Sequence, residues 1–265
     1  MKRLVSVIVV AALASAAAAY ARPSSPPTKK PGTLIVGFDL PAPGFWNGRA
    51  SGTTIRNPTG FEYDLSQAIA KKLGIAKVEY LRAPFGGLFS PAPKKYDFAF
   101  EEVTITPQRA KVIDFSVPYF DANQGVLIRK GLPAPKSIAD LKRLQLCAQA
   151  NTTGLAYILH KLRPAKKPLV YSASSTAAFD AVEAGRCDAL ILDVPIVVSQ
   201  SKKKPGAYGG VVGQIVTKEG YGAVMEKGSK LKPFVDKAIE ALRADGTIDR
   251  LQKRWLPFTR VPALK

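Results

Sequence analysis

An α/β fold made of two successive units is predicted by three features of the 265-residue sequence. Apolar runs of strand length alternate with segments of helical periodicity; the amphipathic stripes stop at glycine; and the alternation starts afresh after Gly125 and Pro135. The first unit opens at Thr33 with TLIVGF (33–38), then a helix over 62–73, strands over 77–81 and 97–101 (DFAFE), and a short helix from Pro107. Leu65, Ala68, Ile69 and Leu73 share one face of the 62–73 helix, and Gly74 supplies its left-handed stop. The second unit reads as strand 145–149 (QLCAQ), helix Thr153–Lys161, strand 168–171, helix 175–184 closed by Gly185, and strand 188–192 (DALIL). A strand over 221–225 follows, then a helix from Ser229 to Ala244 striped by Leu231, Phe234, Val235, Ala238, Ile239 and Leu242. A last helix carries Ile248, Leu251 and Trp255.

Ahead of this, Lys2 and Arg3 precede an apolar run from Leu4 to Ala19 that ends in small residues, which is the pattern of a secretory signal peptide over residues 1–21. Cleavage near Ala21 leaves Arg22 first, with no cysteine there for a lipid anchor, so the expected compartment is the periplasm. A retained anchor is the alternative, on a stretch barely long enough to span. Residues 22–32 (RPSSPPTKKPG) read as a flexible leader. Beyond Tyr20 no uncharged apolar run reaches spanning length; the nearest, 189–198, is broken by Asp193 and Pro195.

The remaining chain of about 240 residues fits one large domain or two smaller ones. Its formal charge of +19 raises nucleic acid as a partner. Export argues against that, and the lysines lie in short clusters (Lys29-Lys30, Lys166-Lys167, Lys202 to Lys204) without interleaved aromatics, so no nucleic-acid partner is expected. Solvated faces, with some attraction to anionic headgroups, are the simpler reading. A lone histidine, His160, leaves too few ligands for a zinc site and reads as a surface helix residue, so no metal is expected. Phosphate loops, nucleophile elbows and paired-histidine motifs are missing from the sequence, and no cofactor is expected.

Open α/β sheets bind ligands outside the carboxyl ends of their strands, which directs attention to the residues after 38, 101, 149 and 192. Asp39 follows the first strand. After the strand at 97–101 comes EEVTITPQR (101–109), where Thr104, Thr106 and Arg109 enter a helix and form an anion seat. QANTTG (149–154) offers Thr152 and Thr153, and Asp193 stands ready to accept from an ammonium group. One carboxylate clamp and one ammonium acceptor describe an α-amino acid. Taken singly, each residue has a plainer reading: a solvated arginine, threonine N-caps, a cap before Pro195.

Those stretches, with GTLIVGFD (32–39), TGFEYDLSQAIAKKLG (59–74), YDFAFEEVTITPQRAKVIDFSVPYF (96–120), EAGRCDALILDVPI (183–196) and ALRADGTIDRLQKRW (241–255), resemble the solute-binding proteins of ABC-type polar amino-acid importers over roughly residues 33–258. The resemblance implies the type II periplasmic-binding-protein fold: two Rossmann-like lobes joined by a two-strand hinge, lobe 1 being 33–122 plus 218–260 and lobe 2 being 123–217. It also implies a monomer that delivers a free amino acid to permease subunits at the inner membrane. Arg109 would hold the α-carboxylate with Thr106 and Thr153, and Thr104 and Asp193 the α-ammonium. Asp39, Phe45 and Phe85 would line the side-chain pocket, and Thr152 belongs to the same seat. The chain departs from the family pattern at Ala42, in place of a tyrosine, with Trp46 after Phe45, and at Glu101 and Glu102, in place of small or hydroxyl residues. Acidic residues there favour a cationic or amide-bearing ligand, although strand alternation forbids both from pointing inward without a turn.

Two other readings share this scaffold: a cyclohexadienyl-dehydratase-like enzyme, using Glu101, Glu102 or Asp193 as acid or base, and a sensory protein presenting its ligand to a receptor. The binding reading assigns no catalytic residue. Cys147 and Cys187 flank strands that the α/β order can place side by side, so a disulfide is expected, with two buried thiols as the alternative.

Overall fold

The structure is a computed structural model that describes residues 25–172, 174–256 and 261–265. The expected signal peptide (1–21), the first leader residues (22–24) and residues 257–260 lie outside the described residues. Among the described residues, no helix is long and apolar enough to cross a membrane.

Lobe 1 is built on β1 (Thr33–Phe38), the hairpin β2 (Asn47–Ser51) and β3 (Thr54–Thr59), α1 (Phe61–Lys72), β4 (Lys77–Arg82), β5 (Phe98–Ala99) and β6 (Ile113–Phe115). The chain then enters lobe 2 along β7 (Phe120–Arg129). There follow α2 (Ile138–Leu141), β8 (Leu146–Gln149), α3 (Thr153–Tyr157) with a π turn over Ile158–Leu162, β9 (Leu169–Tyr171), α4 (Ser175–Glu183), β10 (Ala189–Asp193), α5 (Val194–Lys203) and β11 (Tyr208–Tyr221). Lobe 1 is completed by β12 (Val224–Glu226), α6 (Lys232–Ala244) and α7 (Thr247–Trp255). The sheets run β4-β1-β5-β12-β6 and β11-β7-β10-β8-β9, parallel at β4-β1-β5 and β10-β8-β9 and antiparallel elsewhere. Two α/β lobes are joined by the adjacent long strands β7 and β11, as the expected fold class requires.

Helix periodicity explains how lobe 1 closes. Phe61, Leu65 and Ile69 of α1 and Val235, Ala238, Ile239 and Leu242 of α6 are buried in one core with Leu34, Val36 and Phe38 of β1. Glu62 and Asp64 in the first turn of α1 and Lys71 and Lys72 in the last suit the helix dipole. Gly74, at φ 70°, takes the left-handed conformation that ends it. In lobe 2 the sheet is covered on one face by α4 and α5, through Phe179, Val182 and Val197, and on the other by α3 and its π turn, through Ile158 and Leu162.

Several expectations need correction. Pro107 starts no helix: the chain makes a single 3-10 turn at Arg109–Lys111. The strand expected at 221–225 is two pieces, the end of β11 at Tyr221 and the short β12 from Val224, and the helix expected from Ser229 begins at Lys232. The end of the leader is pinned to lobe 1 instead of hanging free. The buried Asp97 carboxylate accepts from the Lys29 amide at 2.6 Å and the Ile35 amide at 2.7 Å, and Lys29 and Lys30 pair with Glu226 and Glu79. Residues 261–265 add to the β11 edge in lobe 2, where Gln214 bonds Pro262 and Leu264.

Cys147 and Cys187 form the expected disulfide, with Cα atoms 5.9 Å apart and 40 residues of separation. It ties the start of β8 to the approach to β10. Closing a loop of that length stabilises by roughly 4 kcal/mol in the chain-entropy treatment. Urea unfolding of a Cys147→Ala, Cys187→Ala variant should therefore show a clearly lower midpoint than the oxidised protein, and an unchanged midpoint would show that the bridge adds nothing.

Candidate functional site

A cleft enclosing about 640 Å³ lies between the lobes and is lined by Asp39, Ala42, Phe85, Glu101, Glu102, Thr104 and Arg109 from lobe 1 and by Gln149, Thr152, Thr153, Ser174, Ser175 and Asp193 from lobe 2. Its polar residues follow β1, β5, β8 and β10, the carboxyl ends to which the sequence pointed. Eight of the ten expected site residues meet here. Phe45 and Thr106 do not. Phe45 is fully buried behind the cleft among Phe61, Phe120 and Tyr221, and Ala42 lines the wall instead. Thr106 Oγ1 accepts from the Arg109 amide at 3.2 Å, so it shapes the turn that carries the arginine.

Arg109 spans the cleft. Its Nη1 donates to the Thr104 carbonyl at 2.6 Å and its Nη2 to the Asn151 carbonyl of lobe 2 at 2.8 Å. The Phe89 ring lies 4.6 Å and the Phe85 ring 5.8 Å from the guanidinium carbon, so aromatic faces fix the cation's plane. Burial lowers its pKa, an effect that Asp193 and Glu219 oppose. Thr152 is the α3 N-cap, accepting from the Leu155 amide at 3.2 Å, and Gly154 packs so closely on Ile191 and Gln124 that a side chain would collide with both.

Asp193 occupies the N-cap position of α5 but makes no capping bond. Its carboxylate turns inward, accepting from Gln124 Nε2 and from the Tyr221 hydroxyl, each at 2.6 Å. Burial first, then the Glu219 charge, push its pKa up to about 6, against the hydrogen bonds from Tyr221 and Gln124 and the Arg109 charge.

The lobe 1 wall carries more acid. Strand β5 ends at Ala99, so alternation no longer governs the next residues, and Glu102 takes a left-handed conformation, φ 51°. Both Glu101 and Glu102 thereby line the cleft. Glu101 is only 5% exposed, and neither of its carboxyl oxygens has a hydrogen-bond partner among the described residues; nor does Glu102 Oε1. Burial, then the Asp39 and Glu62 charges, hold the Glu101 pKa well above the usual range. For Glu102 burial leads and Glu62 follows. Asp39 is paired with Arg82 at 3.0 Å.

Sequence reasoning missed the groups behind this wall. Glu62, fully buried on α1, accepts from Trp46 Nε1 at 2.7 Å, the Glu102 amide at 3.0 Å and the Tyr119 hydroxyl. Burial pushes its pKa up to about 7 despite those bonds. Trp46, a departure from the family pattern, thus supports the acid that holds Glu102 in its unfavourable conformation. Gln124 and Glu219, from the crossing strands, were also missed. A polar residue inside an otherwise buried β7 (pattern BeBiBBBBBi) was the one available signal.

The raised carboxyl pKa values fix a stability trend. Between the unfolded and folded pKa values the native protein holds protons that the unfolded chain has released, so ligand-free stability is greatest at the acid end of that window and falls as pH rises through the folded values. Thermal unfolding without ligand should therefore show a midpoint that drops from about pH 5 to pH 7.5, by about 2–4 °C for each kcal/mol lost. A midpoint that climbs across that range would contradict the protonated state assigned to these acids.

The profile of the bacterial extracellular solute-binding proteins, family 3, matches residues 34–258. The arginine-binding protein 1 of an ABC transporter from Escherichia coli (strain K12) is 29% identical over 205 residues, 75% of this chain and 82% of the relative. The L-cystine-binding protein TcyJ of the same strain is 28% identical over 229 residues, 86% of this chain and 84% of the relative. Among solved structures, an ancestral arginine-binding protein bound to arginine superposes with a TM-score of 0.73 at 35% identity, covering 84% of this chain and 98% of that one. With two α/β lobes, a cleft at their strand ends and a profile match spanning both, this chain belongs to the bacterial extracellular solute-binding proteins of family 3.

Proposed function

We propose that this chain is the periplasmic solute-binding component of an ABC importer and that it captures a free amino acid with a cationic side chain. Export would follow cleavage near Ala21, and the protein would act as a monomer that hands its ligand to permease subunits at the inner membrane. The observation that carries the ligand class is Glu101. A carboxyl group buried without any partner is costly, and a cation arriving in the ligand removes that cost. Glu102 and Asp39 line the same cleft.

In this reading Arg109 receives the α-carboxylate and Asp193 the α-ammonium, while the guanidinium or ammonium of the ligand side chain points towards Glu101 and Glu102. Glutamate or aspartate would instead bring a like charge into a low-dielectric space. The arginine-binding relative agrees with this assignment, whereas the cystine-binding one shows that family membership alone leaves the side chain open. The lobes, 33–122 with 218–260 and 123–217, would close about the crossing strands because groups from both contact one ligand. We assign no catalytic step to the carboxyl groups: Asp193 is engaged with Gln124 and Tyr221 and serves the ammonium.

Calorimetric titration with each common amino acid tests this. Arginine, lysine, ornithine or histidine should bind at least tenfold more tightly than glutamate or aspartate. Tight binding of an acidic amino acid with no response to the cationic ones would overturn the ligand class, and turnover of prephenate to an aromatic product would overturn the transport role.

A further inference from the structure

We propose that Glu219, on the strand returning from lobe 2 to lobe 1, is a positioning residue that fixes the Thr104 and Thr153 hydroxyls as acceptors, making the seat beside Asp193 selective for an α-ammonium group. The proposal rests on reading the cleft as an amino-acid site.

A single oxygen of Glu219, Oε2, accepts from Thr104 Oγ1 at 2.8 Å and from Thr153 Oγ1 at 2.7 Å. A hydroxyl has one proton to give. Once it is directed at Glu219, each threonine presents only lone pairs elsewhere. Thr153 Oγ1 also accepts from Gln124 Nε2 at 3.1 Å, so one of its lone pairs is used as well. The same amide group donates to Asp193 Oδ1 at 2.6 Å and reaches the two Glu219 oxygens at 3.3 and 3.2 Å. Two carboxylates and two hydroxyls thus gather around one side-chain NH₂, and acceptors outnumber donors. A group entering beside Asp193 must bring N–H donors, and an ammonium brings three. A carboxylate placed there would face lone pairs. The Thr153 hydroxyl, expected to help hold the ligand carboxylate, is turned to the opposite role, which leaves that carboxylate to Arg109.

The backbone is shaped to deliver Glu219 to this point. β11 pairs with β7 at Ile215↔Gln124 and again at Glu219↔Ala122, so Val216, Thr217 and Lys218 stand against Asn123 alone. Asn123 Oδ1 holds this bulge by accepting from the Thr217 and Lys218 amides, both at 3.0 Å, and Lys218 takes the left-handed conformation, φ 53°. Bulges beside functional sites re-aim side chains in this way. Because Thr104 belongs to lobe 1 and Thr153 to lobe 2, the oriented pair forms only when the lobes are together.

The test compares L-arginine with 5-guanidinopentanoic acid, the same molecule without its α-ammonium, by calorimetry on the full-length mature protein. Glu219→Gln keeps the side-chain shape and removes the charge that orients the hydroxyls. It should weaken arginine about tenfold or more and leave the analogue unchanged, since hydrogen bonds to charged groups are worth about 1.5–3 kcal/mol. Thr104→Val should produce the same selective loss, and the double variant should lose no more than the larger single effect, because the two residues act through one contact. Equal weakening of both compounds would reduce Glu219 to a latch between the lobes and overturn the proposal, as would unaltered arginine binding. A wild-type protein that binds neither compound would contradict the cationic amino-acid reading itself and take this proposal with it.

Discussion

Glu101 sits at the cleft wall, buried, with both carboxyl oxygens unpartnered, and beside it the buried Glu102 has one oxygen in the same state. Across the cleft Asp193 is equally buried, and one guanidinium, that of Arg109, faces the group. Desolvated carboxyl groups with too few cations are the constraint on which the rest of the site depends. Glu62 is held by an indole, a phenol and a backbone amide, and Asp193 by a phenol and a carboxamide. Neutral donors lower the cost of these charges without cancelling them. The large aromatic residues of the lobe 1 core, Trp46, Tyr119 and Tyr221, are therefore part of the site's electrostatics as well as its packing.

The fold places this excess of acid where closure can use it. Lobe 1 supplies its acids from the turn after β5, and lobe 2 supplies Asp193 from the end of β10, so neither lobe alone forms the whole set. The two crossing strands add Gln124 and Glu219 at the back of the cleft, where they touch groups from both sides. A ligand carrying positive charge then stabilises the closed arrangement selectively, which is what a shift between open and closed forms requires. The disulfide lies away from the cleft, between the starts of β8 and β10, and holds the strands whose far ends carry Thr152, Thr153 and Asp193.

Much of this could be read in the sequence because it rests on local signals. The stripe on α6 and the glycine stop of α1 are set by periodicity and backbone conformation, and both were found. The β2–β3 hairpin escaped because NGRAS and TIRNPT carry a single buried residue, Ile55, and so show no apolar alternation. Phe45 was misplaced because an aromatic residue in a loop carries no mark of which way it faces; its ring joins the core and leaves Ala42 at the cleft. Thr106 lay in the right motif but bonds its own turn. Glu219 and Gln124 were out of reach because their roles arise from strand register and a bulge between segments more than 90 residues apart. Glu101 and Glu102 were seen as acidic departures. Their joint inward placement depended on the strand ending at Ala99, which residue types alone do not reveal.

The central claim, that buried protonated carboxyls await the charge of the ligand, is tested most directly by counting protons. Arginine would be titrated into the protein at about pH 6.5, between the Asp193 and Glu62 values, in buffers of different ionisation enthalpy. A bound cation lowers the carboxyl pKa values, so the account predicts net proton release and a binding heat that varies with the buffer. Binding with the same heat in every buffer, or with net proton uptake, would contradict it.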